Sequence, residues 1–320
     1  MPRLIAVFKV VTTMLKYILR RLLHLVGILI ALSFLTFLLM YLAPGDAAVK
    51  KLNAQGIAVS QEVLDKARAD MGLDRPFLVQ YGDWAWKALR GDLGTSYKDG
   101  LSVAGKLGKA LGYTALLALG SLFISLVISL PLAVFTALKK DSVPDYILRF
   151  LSFVGNSLPN FLISVLLMYF LCVRAKLLPV VAEKNLRGLL LPALALSIPM
   201  MGRFLRQFRA EVLEQLGKSY VSGAVSRGVR SRYILIRDVL HNASISILTI
   251  VALSIGTLFG GSVVIETIFR WPGLGKLAMD AITNRDYPVI QGFVLFTAVV
   301  YVTVNLLTDI AYRWIDPRVQ

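Results

Sequence analysis

Long apolar runs alternate with short polar stretches along this chain. The apolar runs cover about Leu22–Leu42, Gly112–Leu138, Ile147–Val173, Leu189–Gly202, Ile245–Ile265 and Val289–Tyr312. Apolar runs of roughly 18 or more residues read as membrane spans. In hydrocarbon each backbone N–H and C=O needs a partner within the protein, so the spans are expected to be helices. The fourth run is the shortest and contains Pro192 and Pro199. Together with Pro131 and Pro159, these prolines are expected to kink or bound their helices, because proline lacks the amide proton that a helix interior uses.

The polar stretches differ in kind. Residues 203–242 carry eight Lys or Arg and three acidic residues, punctuated by glycine, and read as short amphipathic helices in a loop that cannot sit in lipid. A patterned loop of this sort suggests a docking surface for a soluble partner. Residues 43–111 hold ten basic and eight acidic residues. Within them Ser60–Met71 has helix character, with Ser60 as its cap. Asp74-Arg75-Pro76 ends that pattern, Trp84 and Trp86 suit a membrane interface, and Gly91–Tyr97 is rich in turn residues. This segment is expected to form a small cap on the outer face.

Composition supports the reading. The 320 residues are 57% hydrophobic and 17% charged, with a mean hydropathy of +0.69. A net charge of +16 raises the question of nucleic acid. No aromatic-interleaved basic platform is present, and basic loops on an integral membrane protein account for the charge, with lipid as the surrounding partner. Cys172 is the one cysteine, so a disulfide within the chain is impossible, and no Cys/His cluster offers a zinc site.

Lys16, Arg20 and Arg21 precede the first apolar run, which is longer than a signal-peptide core of roughly 7–15 residues. An uncleaved anchor is therefore expected, and Met14 is an alternative start. Six spans put both termini on one side. That side would carry eighteen Lys or Arg in residues 1–21, 139–149, 203–242 and the C-terminal tail, against seven in 174–187 and 270–285. The 43–111 segment exceeds the length over which this bias acts and is set aside. The rule that basic loops stay inside then places both termini and the 203–242 loop in the cytoplasm.

Several catalytic patterns fail on inspection. Gly100 to Lys106 has the spacing of a phosphate loop, but Leu107 stands where a Ser or Thr should hold Mg²⁺. Gly273-Leu274-Gly275-Lys276-Leu277-Ala278 fits a dinucleotide turn but follows a span, not a strand. There is no nucleophile elbow and no paired-histidine zinc motif, and the only histidines are His24 and His241. The spans are almost free of charge, Asp309 near the end of the sixth being the nearest case, so an intramembrane proton or sodium route has little support. A chain that moves solutes uphill with these parts must receive its energy from elsewhere.

Four blocks, in order, resemble the permease subunits of ABC importers of the dipeptide/oligopeptide/nickel class. They are Leu15-Lys16-Tyr17-Ile18-Leu19-Arg20-Arg21-Leu22-Leu23 with Ala43-Pro44-Gly45-Asp46; Gly72-Leu73-Asp74-Arg75-Pro76; Gly91-Asp92-Leu93-Gly94-Thr95-Ser96; and Glu266 to Gly275 with Arg285 to Gly292. The 203–242 loop resembles the family's ATPase-docking motif, E-A-A-x-x-x-G followed by I-x-L-P. Ala224, Gly228 and Leu240 match that motif; Ser222, Gly223, Asp238 and His241 depart from it.

The resemblance implies an all-α membrane protein with six transmembrane helices in the type I ABC importer permease fold and an extracytoplasmic cap between helices 1 and 2. It divides the chain into residues 1–42 (tail and first span), 43–111 (cap), 112–312 (permease core with the 203–242 docking loop) and 313–320 (cytoplasmic tail). It implies no catalytic, cofactor or metal residue on this chain, with ATP and Mg on the ATPase partners. The implied partners are a second homologous permease, two ATPase subunits or domains and an extracytoplasmic binding protein, in the plasma (inner) membrane of a bacterium or archaeon. Nucleic acid is not among them. Docking is assigned to Tyr220, Ser222, Gly223, Ala224, Arg227, Gly228, Arg230 and Leu240. In this assignment small side chains allow close backbone approach, and Gly228 leaves the helix through a positive φ. An outer gate or binding-protein contact is assigned to Glu266, Phe269, Pro272, Gly273, Gly275, Asp286, Pro288 and Gln291, with a purely structural re-entrant turn at Pro272, Gly273 and Gly275 as the competing reading and mixed use as the favoured one. Peptides are the implied solute and nickel or another small solute the alternative. A passive channel or scaffold and a membrane-embedded hydrolase are the readings from other classes.

Overall fold

A computed structural model describes residues 23–54, 60–179, 181, 183 and 185–315. The basic N-terminal stretch with Lys16, Arg20 and Arg21, the block Leu15–Leu22 and the tail beyond residue 315 lie outside the described residues. The described chain is helical, and its one β feature is an isolated bridge between Thr95 and Ser102. The helices are α1 (Leu23–Leu42), α2 (Ala47–Ala54), α3 (Gln61–Asp70), α4 (Phe77–Leu89), α5 (Val103–Leu138), α6 (Val143–Ser157), α7 (Asn160–Arg174), α8 (Leu186–Leu216), α9 (Ser219–Ser226), α10 (Ser231–Tyr233), α11 (Leu240–Ile268), α12 (Leu274–Asn284) and α13 (Tyr287–Ile315). A wider π-helical turn, Ile234–Val239, joins α10 to α11.

Five stretches are long and apolar enough to cross a membrane, and a sixth is obtained by counting α6 and α7 as one span. Those two helices were expected as a single run, Ile147–Val173, yet they meet at 106°. The cause is local. Pro159 forces the residue before it out of the helical region, and Leu158 accordingly sits at φ −76°, ψ 134°. Pro131, Pro192 and Pro199 instead lie inside unbroken helices. Two further expectations shift. The second span begins at Val103, inside the segment read as cap, and α8 runs on to Leu216, so the first third of the 203–242 loop is helix.

The described residues fall into two compact units. One holds residues up to 110 with 277–306, and the other holds 111–276 with the chain beyond 306. In the first unit, Ser60 caps α3 as expected, its Oγ accepting from the Val63 amide at 3.4 Å. Asp46 accepts from Arg68 Nε at 2.7 Å, tying the end of α1 to α3. Phe34, Phe37, Tyr41, Phe77 and Tyr81 pack edge-on, with Trp84 tilted against Phe37, joining α1 to α4.

In the second unit α8 is the central helix: 67% of its apolar window is buried. Phe204 and Phe208 stack at 4.9 Å within a core that includes Leu117, Ala133, Ile163, Leu196, Ile265, Phe269 and Trp271. Buried hydroxyls on α5 bond to their own helix: Ser121 donates to the Leu117 carbonyl at 2.7 Å and Ser125 to the Ser121 carbonyl at 2.7 Å. One ion pair is buried here. Arg209 on α8 donates to both oxygens of Asp145 on α6, at 2.8 and 2.7 Å, and the Asp141 amide adds a third bond at 3.1 Å. Asp145 is fully enclosed.

Removing Arg209 leaves the buried Asp145 carboxylate with Arg149 as its one cation, whose Nε lies 3.7 Å away. Arg209→Met is expected to destabilise the protein by about 1–3 kcal/mol, whereas the double replacement Asp145→Leu/Arg209→Met should recover part of the loss. Thermal unfolding of the detergent-solubilised protein measures both. A double variant no better than the single one would show that the pair does not act as a unit.

Candidate functional site

The two stretches singled out by the sequence flank α11. On one side lies the basic connector from Gly217 to Val239. A short helix, α9, forms there because its inner face has somewhere to go: Ala224 is buried with Val212, Ile234, Val239, Ala243 and Ala137. The helix ends at Gly228, which has φ +73°. The Gly228 amide donates to the Val225 carbonyl at 2.9 Å and the Val229 amide to the Ala224 carbonyl at 3.2 Å, so the last carbonyls of the helix are satisfied by the reversal. Arg230 then starts α10 in extended conformation.

The eight predicted docking residues divide by environment. Ser222, Arg227, Gly228 and Arg230 are exposed, and Gly223 is half-buried. Tyr220, Ala224 and Leu240 turn toward this chain instead. Tyr220 donates its hydroxyl proton to Gln215 at 3.1 Å, and Ala224 and Leu240 belong to the cluster beneath α9. The small size of Ala224 thus serves packing within the chain. Sequence reasoning passed over three exposed apolar side chains on this connector, Val225, Tyr233 and Ile236. Their positions opposite the buried Ala224 and Ile234 were readable from helical periodicity.

On the other side of α11 the chain turns sharply through Arg270, which has φ +55°. The turn is organised by Glu266, a fully buried side chain. Its Oε1 accepts from the Thr114 hydroxyl at 2.7 Å, and its Oε2 accepts from the amides of Gly275 and Lys276 at 2.7 and 3.2 Å. Thr114 Oγ1 in turn accepts from the Leu274 amide at 2.8 Å. Three amides of the first turn of α12, which have no partner within their own helix, are thereby satisfied by two side chains. The carboxyl group also lies at the positive end of the helix dipole. Trp271 is buried alongside and donates its indole N–H to the Tyr113 carbonyl at 2.9 Å. The glycines that imitated a dinucleotide turn have a packing reason. A Cβ on Gly273 would fall 2.4 Å from the Glu266 carboxyl carbon, and one on Gly275 would fall 2.5 Å from Val263 Cα.

A second junction closes α12. Arg285 has φ +53°, and Asp286 accepts from the Ser96 hydroxyl and, at 2.9 Å, from the Tyr97 amide. Lys106 donates to Ser96 at 3.1 Å and to Asp99 at 2.6 Å, so the lysine of the apparent phosphate loop is held by a neighbouring carboxylate. Burial raises the Tyr97 phenol to about 12, with the charges of Asp286 and Tyr287 adding to the effect. At Asp99, burial pushes upward but is outweighed by hydrogen bonds from Lys106, the Leu101 amide and Ser96, which hold the carboxyl below its usual value.

The predicted outer-gate residues therefore sit inside the chain. Glu266, Phe269, Gly273, Gly275, Asp286, Pro288 and Gln291 are buried and Pro272 is half-buried. A folded turn held from within is compatible with both the gate and the structural reading. Thr267, Arg270, Met279, Asp280, Ile282 and Thr283 are exposed in this loop. The spacing of Leu274, Ala278 and Ala281 on one face of α12 carried that information. Nothing local in the sequence pointed to Thr114, which lies 152 residues from Glu266.

Residues 129–320 match the family described as binding-protein-dependent transport system inner membrane component, and residues 14–110 match its N-terminal family. A Brucella ovis protein whose name describes a peptide permease is 38% identical over 96% of this chain and 99% of its own length. The metal-staphylopine import system permease protein of Staphylococcus aureus is 35% identical over 96% of this chain and 99% of its own length. Among solved structures, a chain of the MetNI methionine ABC transporter in an inward-facing conformation matches with a TM-score of 0.54 at 16% identity. That match covers 66% of this chain and 96% of the other, and it supports the shared fold.

Thr114→Val removes both a donor to Glu266 and the acceptor of the Leu274 amide while keeping the side-chain volume. It is expected to lower stability by about 1–3 kcal/mol, the penalty for stranded buried polar groups. Thr114→Ser, which keeps the hydroxyl, should lose less. Hydrogen exchange at the first turn of α12 separates the two, with faster exchange expected only in the valine variant.

Proposed function

The chain belongs to the family of inner-membrane components of binding-protein-dependent transport systems, and from that premise we propose that it forms one half of the translocation path for short peptides in an ATP-driven importer. The observation that carries this reading is the end-to-end likeness to a protein named as a peptide permease. In this reading a second, homologous permease supplies the other half of the path. A binding protein delivers the solute at the outer face, and two ATPase subunits or domains, carrying ATP and Mg, supply the energy. The basic connector faces the cytoplasm together with both termini, in line with the excess of eighteen Lys or Arg over seven on the opposite side.

The connector suits docking for physical reasons. The inner face of α9 is fastened to α8, α11 and the end of α5 by the buried cluster around Ala224. Its outer face presents Ser222, Val225, Arg227 and Gly228. A force applied to that face reaches the spans through packed side chains. ATP biases the transporter only to the extent that it binds the ATPases differently in the inward-open and outward-open states.

The similarity to the metal-staphylopine permease supports a second reading, in which the solute is a metal chelate or another small molecule. Uptake by the reconstituted complex of a labelled tripeptide, compared with a labelled metal chelate, separates the two. Absence of any co-purifying ATPase would remove both and favour a scaffold.

Gly228→Val tests the docking role. No atom lies within 4 Å of an added Cβ, so the substitution meets backbone strain at φ +73° and no collision. The strain of a left-handed β-branched residue is about 1–2 kcal/mol. The expected outcome is normal membrane insertion with binding-protein-stimulated ATP hydrolysis reduced by about tenfold. Full stimulation in the variant complex would remove the connector from the mechanism.

A further inference from the structure

An open cavity of about 550 Å³ lies within the first unit, between α3, α4, the glycine-rich turn at 91–97 and the start of α13. A second, of about 400 Å³, adjoins it and shares Phe37, Leu73, Gln80, Tyr287 and Gln291 as walls. The larger volume falls within the range of small-molecule sites, roughly 300–1,000 Å³. Two features distinguish it from a packing gap. Gln291 is 6% exposed and lines both cavities, yet its amide makes no hydrogen bond among the described residues. Trp84 also lines the larger cavity, and its indole N–H is buried without a partner. A buried polar group is ordinarily paired; here the Trp84 indole N–H is not, and the Gln291 amide borders the same space without a protein partner among the described residues.

The charges around the cavity define what would pair them. Lys51 lies 6.0 Å from the centre of the Tyr97 ring, and neither it nor Asp70 nor Lys87 forms an ion pair among the described residues. Arg75 and Asp83, also at the rim, neutralise each other at 2.9 Å. The walls thus offer cations and a carboxylate to a ligand bearing both charges. Gln291 offers an acceptor and donors matched to a peptide group, and Trp84 offers one donor more.

We propose that this cavity is a holding site for a short peptide with free ends, its backbone amide paired with Gln291 and its termini facing Lys51 or Lys87 and Asp70. The proposal rests on the peptide reading above and gives the first unit a direct part in handling the solute.

The test uses the assembled complex of this chain with its permease and ATPase partners in lipid nanodiscs, without binding protein, and tri-alanine as probe. Saturation-transfer NMR is expected to report saturable binding. Gln291→Leu should weaken it by about tenfold, as loss of a buried amide pair does, and tri-alanine with both ends chemically blocked should bind the wild-type complex similarly poorly. Trp84→Phe, which removes only the indole donor from this site, gives a second reading if the leucine variant does not assemble, with weakened binding again expected. Absence of saturable binding, or equal binding by wild type and both variants, overturns the proposal. So does a result in which tri-alanine does not bind while Gln291→Leu lowers ATP hydrolysis stimulated by the binding protein, because the cavity would then seat a segment of that protein. Tripeptide uptake measured in parallel with the complete wild-type system keeps the two readings apart. Uptake without binding here rejects the holding site alone, whereas chelate uptake without peptide uptake rejects the peptide importer.

Discussion

Every helix leaves its last carbonyls and first amides without partners inside the helix, and each must be met by the chain around it. Much of this structure follows from how each exit is managed. Gly72 after α3, Gly91 after α4, Asp141 after α5, Lys176 after α7, Gly228 after α9, Arg270 after α11 and Arg285 after α12 all adopt positive φ. A left-handed residue folds the chain back so that following amides meet the orphan carbonyls. Four of the seven are not glycine, and each such residue carries a penalty of about 1–2 kcal/mol. Asp, Lys and Arg stand at those four positions, side chains able to reach a polar surface from a tight turn.

Entries into helices show the complementary solution. Glu266 and Thr114 serve the opening amides of α12, Asn185 serves the Gly188 amide in α8 at 2.8 Å, and Ser60 serves α3. The Glu266 arrangement is unusual in drawing its parts from three elements, α5, α11 and α12. It fixes the turn after α11 while leaving few degrees of freedom to the residues within it. At the opposite end of α11, about 43 Å away for a helix of 29 residues, the connector is held by aliphatic packing with its outer face free. One end of the helix is locked by buried polar bonds, and the other is held by apolar packing with exposed side chains on its outer face.

The chain's sequence carried a good part of this. Apolar periodicity located every span, Ser60 announced the start of α3, and the glycine at 228 signalled a reversal that the backbone confirms. Hydropathy could not reveal the bend at Leu158–Pro159, because both arms are equally apolar and an angle leaves no trace in a hydropathy profile. Nor could it show α8 continuing past Gly202, where the pattern turns amphipathic as the helix persists. The pairs Glu266–Thr114 and Asp145–Arg209 join residues 152 and 64 positions apart. Such partners are set by how helices cross, and a single sequence records only that each residue is polar in an apolar neighbourhood. Burial of the outer-loop residues escaped notice for a related reason: glycine, proline and acidic residues read as loop surface, whereas here they fill the tightest space in the fold.

The π-helical turn at Ile234–Val239 has a consequence for phasing. Ile234, Val239 and Ala243 all face the cluster beneath α9, at intervals of five and then four residues. In a regular α-helix, five residues rotate the chain to about 140° beyond a full circle, which would swing Ile234 away from Val239. The wider winding absorbs the surplus residue and keeps both on one side. The connector and the span after it are thus set to a common azimuth, so a one-residue insertion or deletion between them would put α9 out of step with its seat even if no contact residue were changed.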